Sequence, residues 1–332
     1  MSSMEIPKII FMGSHSIAFP LLEYLVAEEV GNVVLSGVVT QPDRPSQRGQ
    51  KLSPNPITVW ARDRAIPLFQ PEKPTEETVA WIGERGCDLI LVMAYGHILG
   101  KAIRELPRRG IFNFHASLLP RFRGAAPIEA AIASGVSATG ISLMEVVKEM
   151  DAGDVLDRQS VPIGAWDHNQ SLAEKLSFAA KEVLKRNLGA LLGGTFRREV
   201  QDREGVTFCR KIEKGDIYLD FSHSAEQLVW RIRALTPHPG CVIGSRDEFY
   251  KIESYRWLSD LDCEPGQIFL HGDDLCIGCG DRTAILLHSI QRPGRKKLPV
   301  KAFLNGNGDF LKMGKVDNFT AMRPFEAKVF PF

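Results

Sequence analysis

The sequence predicts a doubly wound α/β domain followed by a small antiparallel β-barrel. In the first half, short apolar runs at residues 9–12, 33–40 and 87–94 alternate with helical patterns, as in parallel sheets that are covered on both faces. A long apolar-periodic segment at residues 172–192 ends at two glycines, which indicates a helix that closes this domain. Beyond Gly240, short strand-like runs are separated by Gly and Asp turns, which is typical of a small barrel.

Capping patterns define the predicted helices. Ser171 and Glu174 have capping-box spacing, which makes Ser171 the predicted N-cap of the long helix. Ser224 and Gln227 repeat the spacing ahead of a helix that runs to Leu235. In the second half, strands are predicted at residues 248–258, 267–270, 275–278 and 283–290.

Composition excludes several classes of protein. The 332 residues suit about two domains, and 44% hydrophobic with 24% charged residues is the mix of a globular protein. Lys plus Arg number 41 against 40 Asp plus Glu, so any nucleic-acid partner must be recognised by a local patch. No apolar run approaches the ~18 residues of a membrane helix, and the first residues resemble no targeting signal. We therefore expect a cytoplasmic protein with no membrane partner.

Cofactor motifs give little support for a metal or a nucleotide. Cys276 and Cys279 have metal-like spacing, but no second pair follows, so we expect the six cysteines to be buried thiols. Gly13 follows a strand without completing a Gly-rich dinucleotide motif.

The densest polar segment contains Asn113 and His115 on a predicted strand. Residues two apart on a strand point to the same face, and strand ends are where α/β sheets hold ligands. Asp151 lies in a tight turn with Gly153 after a strand predicted at residues 140–147, and it could reach His115 if the two strands are neighbours. A structural Asn and His, with Asp151 as a helix cap or a local turn residue, is the competing interpretation. The spacing alone leaves both open.

Basic residues form three groups. A solvated basic face is the usual meaning of such a group, but three of them on a chain of net charge +1 fit a long polyanion whose phosphates each attract one cation. The first surrounds the Asn113 strand and comprises Lys101, Arg104, Arg108, Arg109, Arg121 and Arg123. The second lies in the loop at residues 42–51 and comprises Arg44, Arg48 and Lys51. The third is an acid-free stretch with Arg292, Arg295, Lys296, Lys297 and Lys301.

Residues 113–128, followed by 151–154, resemble the signature of the folate-dependent formyltransferases, and the basic loop favours their tRNA-directed branch. The two glycines after the long helix place the end of the first domain at residue 194, and the polar stretch of mixed charge at residues 195–214 predicts a linker. The resemblance implies that residues 1–194 form a Rossmann-like formyltransferase domain and that residues 215–332 form an OB-like tRNA-binding domain. Ala116 stands where Gly is common in the family, a mild departure.

The resemblance also implies transfer of a formyl group from 10-formyltetrahydrofolate to the α-amino group of methionine on initiator tRNA. The implied catalytic residues are Asn113, His115 and Asp151. The implied cofactor-binding residues are Met93, Ala94, Tyr95, Gly96, Ser117, Leu118, Leu119 and Pro120. The implied tRNA-binding residues are Arg44, Arg48, Lys51, Arg292, Arg295, Lys296 and Lys297. Folate and initiator Met-tRNA are the expected partners of a monomer that holds no metal.

Three alternatives share much of this signature. A sugar-nucleotide N-formyltransferase would use the same chemistry on another amine. An inactive folate- and RNA-binding module would keep the fold without catalysis. A hydrolase would release formate, with water replacing the amine.

Overall fold

The structure of the chain is a computed structural model, and it describes residues 6–27, 30, 33–45, 52–245, 248–319 and 322–328. The described residues pack as two compact units. The first is drawn from Met1–Ala125, Thr139–Val161 and Ala173–Thr207, and the second from Ala126–Ala138, Pro162–Leu172 and Phe208–Phe332. Each unit therefore combines separated segments of the chain, and the domain boundaries predicted at residues 194 and 214 stay a prediction.

The part of the chain up to Gly193 alternates strands and helices. The strands are β1 (Lys8–Met12), β2 (Val34–Val39), β3 (Arg44–Pro45), β4 (Leu52–Ser53), β5 (Leu68–Phe69), β6 (Leu89–Val92), β7 (Ile111–His115), β8 (Arg123–Gly124), β9 (Ala138–Glu145) and β10 (Val155–Pro162). The helices are α1 (Phe19–Val26), α2 (Pro56–Asp63), α3 (Glu76–Arg85), α4 (Lys101–Arg104), α5 (Pro127–Ala133) and α6 (Asn169–Gly193).

The remaining elements are mostly short strands. These are β11 (Phe208–Cys209), β12 (Cys241–Ser245), β13 (Glu248–Glu253), β14 (Arg256–Leu258), β15 (Ile268–His271), β16 (Asp274–Cys279), β17 (Thr283–Leu286), β18 (Ser289–Gln291), β19 (Leu298–Pro299) and β20 (Glu326–Ala327). The helices are α7 (Ala225–Leu235), α8 (Val300–Gly306) and α9 (Asp309–Lys312).

A seven-stranded sheet forms the centre of the first unit, in the order β10-β9-β7-β6-β1-β2-β5. The strands from β7 to β5 are mutually parallel, and β9 runs antiparallel to β7. Ile9, Ile10 and Phe11 have no exposed surface, which is expected when helices cover both faces of a parallel sheet. The predicted α/β architecture and its three apolar strands are confirmed.

Helix α6 begins at Asn169, three residues before the start that an N-cap at Ser171 predicts. Its N-cap is His168, whose Nδ1 accepts a hydrogen bond from the Ser171 backbone N–H at 3.3 Å. Ser171 Oγ accepts one in return from the His168 N–H at 3.0 Å. The predicted capping box at Ser171 is therefore wrong, because a histidine nitrogen three residues earlier satisfies the free backbone donors.

The second unit is antiparallel. Two four-stranded sheets have the orders β12-β13-β18-β19 and β14-β17-β16-β15. Helix α7 begins as predicted, with Ser224 Oγ accepting from the Gln227 N–H. The antiparallel β domain is confirmed, and its description as OB-like stays a prediction.

All six cysteines are free thiols, and each is buried or half-buried. Burial raises the pKa of Cys276 to about 11 and that of Cys279 to about 12, so both thiols are held in the neutral form. In the part of the chain that the structure describes, no three His, Cys, Asp or Glu residues are grouped so that they could hold a metal. Among the same residues we find no helix whose length and apolar content would let it span a bilayer.

Candidate active site

The carboxyl ends of the parallel strands lie at one edge of the central sheet, and β7 ends there at His115. Asn113 and His115 are two residues apart on β7, so their side chains point to the same face. His115 is only 5% exposed, while Asn113 is half-buried. The predicted pairing of an amide with an imidazole on one face is thus present in the fold.

The imidazole of His115 has one defined partner on each ring nitrogen. Its Nε2 lies 2.8 Å from the carbonyl oxygen of Phe122, and a carbonyl can only accept, so Nε2 carries a proton. Its Nδ1 lies 3.6 Å from Oδ2 of Asp151. Since Nε2–H is fixed by the carbonyl, Nδ1 is the nitrogen that can gain and lose a proton, and a carboxylate faces it.

Asp151 is held by a distant part of the chain. It adopts a left-handed conformation with φ of 48°, and its Oδ2 accepts a hydrogen bond from the backbone N–H of Gly124 at 2.8 Å. A helix cap or a local turn would instead use donors a few residues away. The Asp151 carboxylate is therefore held by a contact that spans 27 residues of the chain rather than by a local cap.

Residues 122–124 organise this pair. Phe122 supplies the carbonyl that fixes His115, and Gly124 supplies the N–H that fixes Asp151. Phe122 has φ of 60° and Gly124 has φ of 120°. Only glycine adopts the second value without strain, which explains this glycine in the signature.

Gln201 was missed by the sequence interpretation. It is 5% exposed, and its Nε2 donates to the carbonyl oxygens of Asp151 (2.8 Å) and Gly153 (2.7 Å). Arg123 donates to Gln201 Oε1 from Nε at 3.1 Å and from Nη2 at 2.8 Å. The residue lies in a polar stretch with no periodicity, so no sequence signal pointed to it.

The predicted folate loop at residues 117–120 is fastened to β9 by Ser142, a second residue that the sequence interpretation missed. Ser142 Oγ accepts from the Leu119 N–H at 3.0 Å and donates to the Ser117 carbonyl at 2.7 Å. Ser117 and Leu119 are buried, whereas Leu118 and Pro120 are partly exposed. The last two are therefore the ones that a ligand can reach.

The second predicted folate segment follows β6 at the same edge. Met93 and Tyr95 are buried, and Ala94 and Gly96 are exposed. Gln41 Nε2 donates to the Tyr95 carbonyl at 2.7 Å and fixes the turn. Burial raises the pKa of the Tyr95 phenol to about 12, so this hydroxyl stays protonated. The accessible groups here are backbone atoms at positions 94 and 96.

Comparison with known proteins decides the family. Residues 7–188 match the Formyl transferase family, and residues 211–308 match the family described as Formyl transferase, C-terminal domain. A protein of Geobacter metallireducens named methionyl-tRNA formyltransferase is 40% identical over 301 residues, which cover 90% of this chain and 95% of the relative. One of Latilactobacillus sakei with the same name is 37% identical and covers 92% and 96%. This chain belongs to the methionyl-tRNA formyltransferase family.

Solved structures agree on the fold. The sugar 3N-formyl transferase WlaRD, crystallised with dTDP and 5-N-formyl-THF, has a TM-score of 0.63 at 15% identity, and the match covers 88% of this chain and 99% of that one. HypX from Aquifex aeolicus, in complex with tetrahydrofolic acid, has a TM-score of 0.59 at 16% identity over 93% and 48% of the two chains. Because the sequence identities are this low, these two matches support a shared fold and nothing more.

The predicted tRNA-binding loop of this methionyl-tRNA formyltransferase family member is only partly described. Arg44 lies on the short β3–β4 hairpin and is exposed. Arg48 and Lys51 lie outside the described residues.

The second predicted tRNA-binding stretch is less basic than its sequence suggests. Arg292 Nη2 lies 3.5 Å from Glu248 Oε1, and Lys297 Nζ lies 2.8 Å from Glu253 Oε1. The stretch contains no acid of its own, but strand β13 places two carboxylates against it. The stretch is acid-free along the sequence, but in the fold two of its cations already have carboxylate partners. Arg295 and Lys296 are exposed.

Proposed function

We propose that this chain transfers the formyl group of 10-formyltetrahydrofolate to the α-amino group of methionine on initiator Met-tRNA. The observation that carries the proposal is the approach of His115 Nδ1 to Asp151 Oδ2, at 3.6 Å, beside the face of β7 that also carries Asn113. Membership of the methionyl-tRNA formyltransferase family supports tRNA as the acceptor.

Proton movement is the first task of the site. A neutral amine that attacks the formyl carbon becomes an ammonium, and the folate nitrogen must receive a proton before it leaves. We assign this transfer to Nδ1 of His115, because Nε2 keeps its proton on the Phe122 carbonyl. Asp151 faces Nδ1 and stabilises the imidazolium that forms.

The second task is to stabilise the oxyanion of the tetrahedral intermediate. An amide N–H donates to an oxyanion without changing its charge, and Asn113 is the amide on the face shared with His115. Removing a donor of this type costs about 2.7–4 kcal/mol of transition-state stabilisation in well-studied hydrolases. Asn113→Ala should lower kcat by a similar amount, roughly 100- to 1000-fold.

We assign the folate to the carboxyl edge of the sheet, next to the two loops at residues 93–96 and 117–120. The exposed backbone at Ala94 and Gly96 offers hydrogen-bonding groups for a pterin, and Leu118 offers an apolar contact. The tRNA is assigned to Arg44, Arg295 and Lys296, which are exposed and able to approach phosphates. Arg292 and Lys297 must exchange their carboxylate partners for phosphates, so we expect each to contribute less.

A single assay set tests this function. Formyl transfer from 10-formyltetrahydrofolate to Met-tRNA is measured for the wild type and for His115→Ala, with formate release and an amino-sugar nucleotide acceptor as parallel readouts. We expect formyl-methionyl-tRNA as the product and a loss of about 100- to 10,000-fold in kcat for His115→Ala.

The second unit provides a matched control. His223 Nε2 lies 3.9 Å from Asp220 Oδ2, which is also a His–Asp pair, and His223→Ala should stay within about twofold of wild type. Equal rates for His115→Ala and wild type would remove His115 from the mechanism. Formate without formyl-methionyl-tRNA would instead identify a hydrolase, and transfer to the sugar amine alone a sugar N-formyltransferase.

A further inference from the structure

We propose that Gln201 is a positioning residue for formyl transfer, acting by holding the turn that carries Asp151. The inference rests on the function proposed above, in which Asp151 stabilises the imidazolium of His115. Gln201 lies outside the signature and does not touch the imidazole, so its effect passes through the backbone of residues 151–153.

The path of the chain explains how Gln201 reaches the turn. After α6, the backbone returns beside the start of β10, where Val155 and Glu199 exchange two hydrogen bonds of 2.9 Å each. This bridge lies two residues before Gln201 and four residues after Asp151. The side chain of Gln201 thereby reaches two carbonyls of the same turn, those of Asp151 and Gly153.

The chemistry of the contact selects glutamine. One amide NH₂ has two donors and here satisfies two carbonyls, while its oxygen accepts from two N–H groups of Arg123. All these hydrogen bonds form in a side chain that is 5% exposed, where an unpaired polar group would be costly. Glutamate keeps the acceptor and loses both donors, and leucine loses both functions at similar volume.

Arg123 joins this clamp to the carboxylate. Burial lowers the pKa of the Arg123 guanidinium, and the negative charge of Asp151 opposes that shift, so the two groups attract each other. Arg123 is also fixed through its backbone N–H, which donates to the Thr207 carbonyl at 2.9 Å. The clamp therefore holds a turn residue in the left-handed region, Asp151 with φ of 48°, at the position where its carboxylate lies 3.6 Å from His115 Nδ1.

The test compares Gln201→Glu and Gln201→Leu with the wild type in formyl transfer to Met-tRNA. We expect kcat to fall about 10- to 100-fold, with KM for folate and for tRNA within about twofold, because a displaced carboxylate affects only the reacting geometry. Gln159→Leu is the control, since Gln159 also bonds through its amide on the same unit but contacts Ser160 and Arg186. It should keep wild-type kcat.

A double-mutant cycle separates positioning from general stability. If Gln201 acts through Asp151, adding Gln201→Leu to Asp151→Asn should lower kcat by less than twofold further. A full additional loss, or a wild-type kcat in Gln201→Glu, would overturn the inference. Should Gln201→Leu fail to fold, Gln201→Glu in the two backgrounds supplies the same cycle. Failure of the proposed function has a different signature, because the wild type itself would then produce no formyl-methionyl-tRNA.

Discussion

Replacing Gly153 with alanine tests how closely the turn of Asp151 must lie against β9. A Cβ at this position would stand 1.9 Å from the carbonyl oxygen of Glu145 and 2.8 Å from its carbon, both of which are backbone atoms. Ordinary contact begins near 3.4 Å, so the turn must withdraw by about 1.5 Å. Because Gly153 does not need a positive φ, the substitution isolates this steric effect.

The expected loss follows from that displacement. A shift of about 1 Å in reacting geometry costs roughly 100-fold in rate, so Gly153→Ala should lower kcat at least that much. Overpacking of this kind also destabilises by about 1–3 kcal/mol, which should lower Tm by several degrees. The assay is formyl transfer at saturating substrates, with thermal unfolding measured on the same samples.

Gly189 supplies the control for Gly153→Ala. It lies within helix α6, and among the described residues no atom beyond its chain neighbours and the adjacent helix backbone comes within 4 Å of the position that an alanine methyl group would take. Alanine should therefore raise stability by about 0.5–1 kcal/mol and leave kcat unchanged. If Gly153→Ala retained kcat within twofold of wild type, the turn would not need its present position. The roles given to Asp151 and Gln201 would then fail together.

Three further experiments test the salt dependence of tRNA binding, the ion pair of Asp216 and the burial of Cys241. Raising the salt concentration from about 50 to about 200 mM should steeply raise KM for tRNA but not KM for folate. In a plot of log KM for tRNA against log salt concentration, Arg295→Ala should reduce the slope by about one. A KM for tRNA that does not change with salt would contradict this expectation. Burial raises the pKa of Asp216, but hydrogen bonds from Arg210 and the Glu213 N–H, with the nearby Arg charges, outweigh it and leave that pKa below the ordinary 3.8. The free energy of unfolding, measured by urea titration, should therefore fall as pH drops below about 4. Asp216→Asn should make this fall smaller and should cost about 3–5 kcal/mol of stability at neutral pH, because it breaks a buried ion pair. If the variant lost stability with falling pH as the wild type does, the ion pair would not have the assigned role. Burial raises the pKa of Cys241 to about 12, so a thiol reagent at about pH 8 should label it only after unfolding, and rapid labelling of the native chain would contradict its burial.

Much of the fold was predictable because it depends on local patterns. Apolar runs of strand length located β1, β2 and β6 to within two residues at each end. Ser224 capped α7 as predicted, since a hydroxyl three residues before a free N–H needs no distant partner. The start of α6 was misplaced because His168 can also cap, and spacing does not rank two candidates that are three residues apart.

In the candidate site, too, the features that depend on local sequence were predictable and those that depend on long-range contacts were not. Side-chain alternation on one strand determined that Asn113 and His115 share a face. Nothing local determined that Gln201 would bond to the turn at Asp151, 50 residues earlier in the chain. The carboxylates that strand β13 places against Arg292 and Lys297 were likewise invisible to a count along the sequence.

The sequence by itself determined the strand and helix periods, the chemical groups available and the pairing of an amide with an imidazole on β7, because backbone geometry repeats over a few residues. The tertiary structure decided the rest: which carbonyl fixes His115, which N–H fixes Asp151 and which amide clamps its turn. Those contacts join segments that are far apart in the sequence and that come together only when the whole sheet packs. Packing depends on many distant side chains at once.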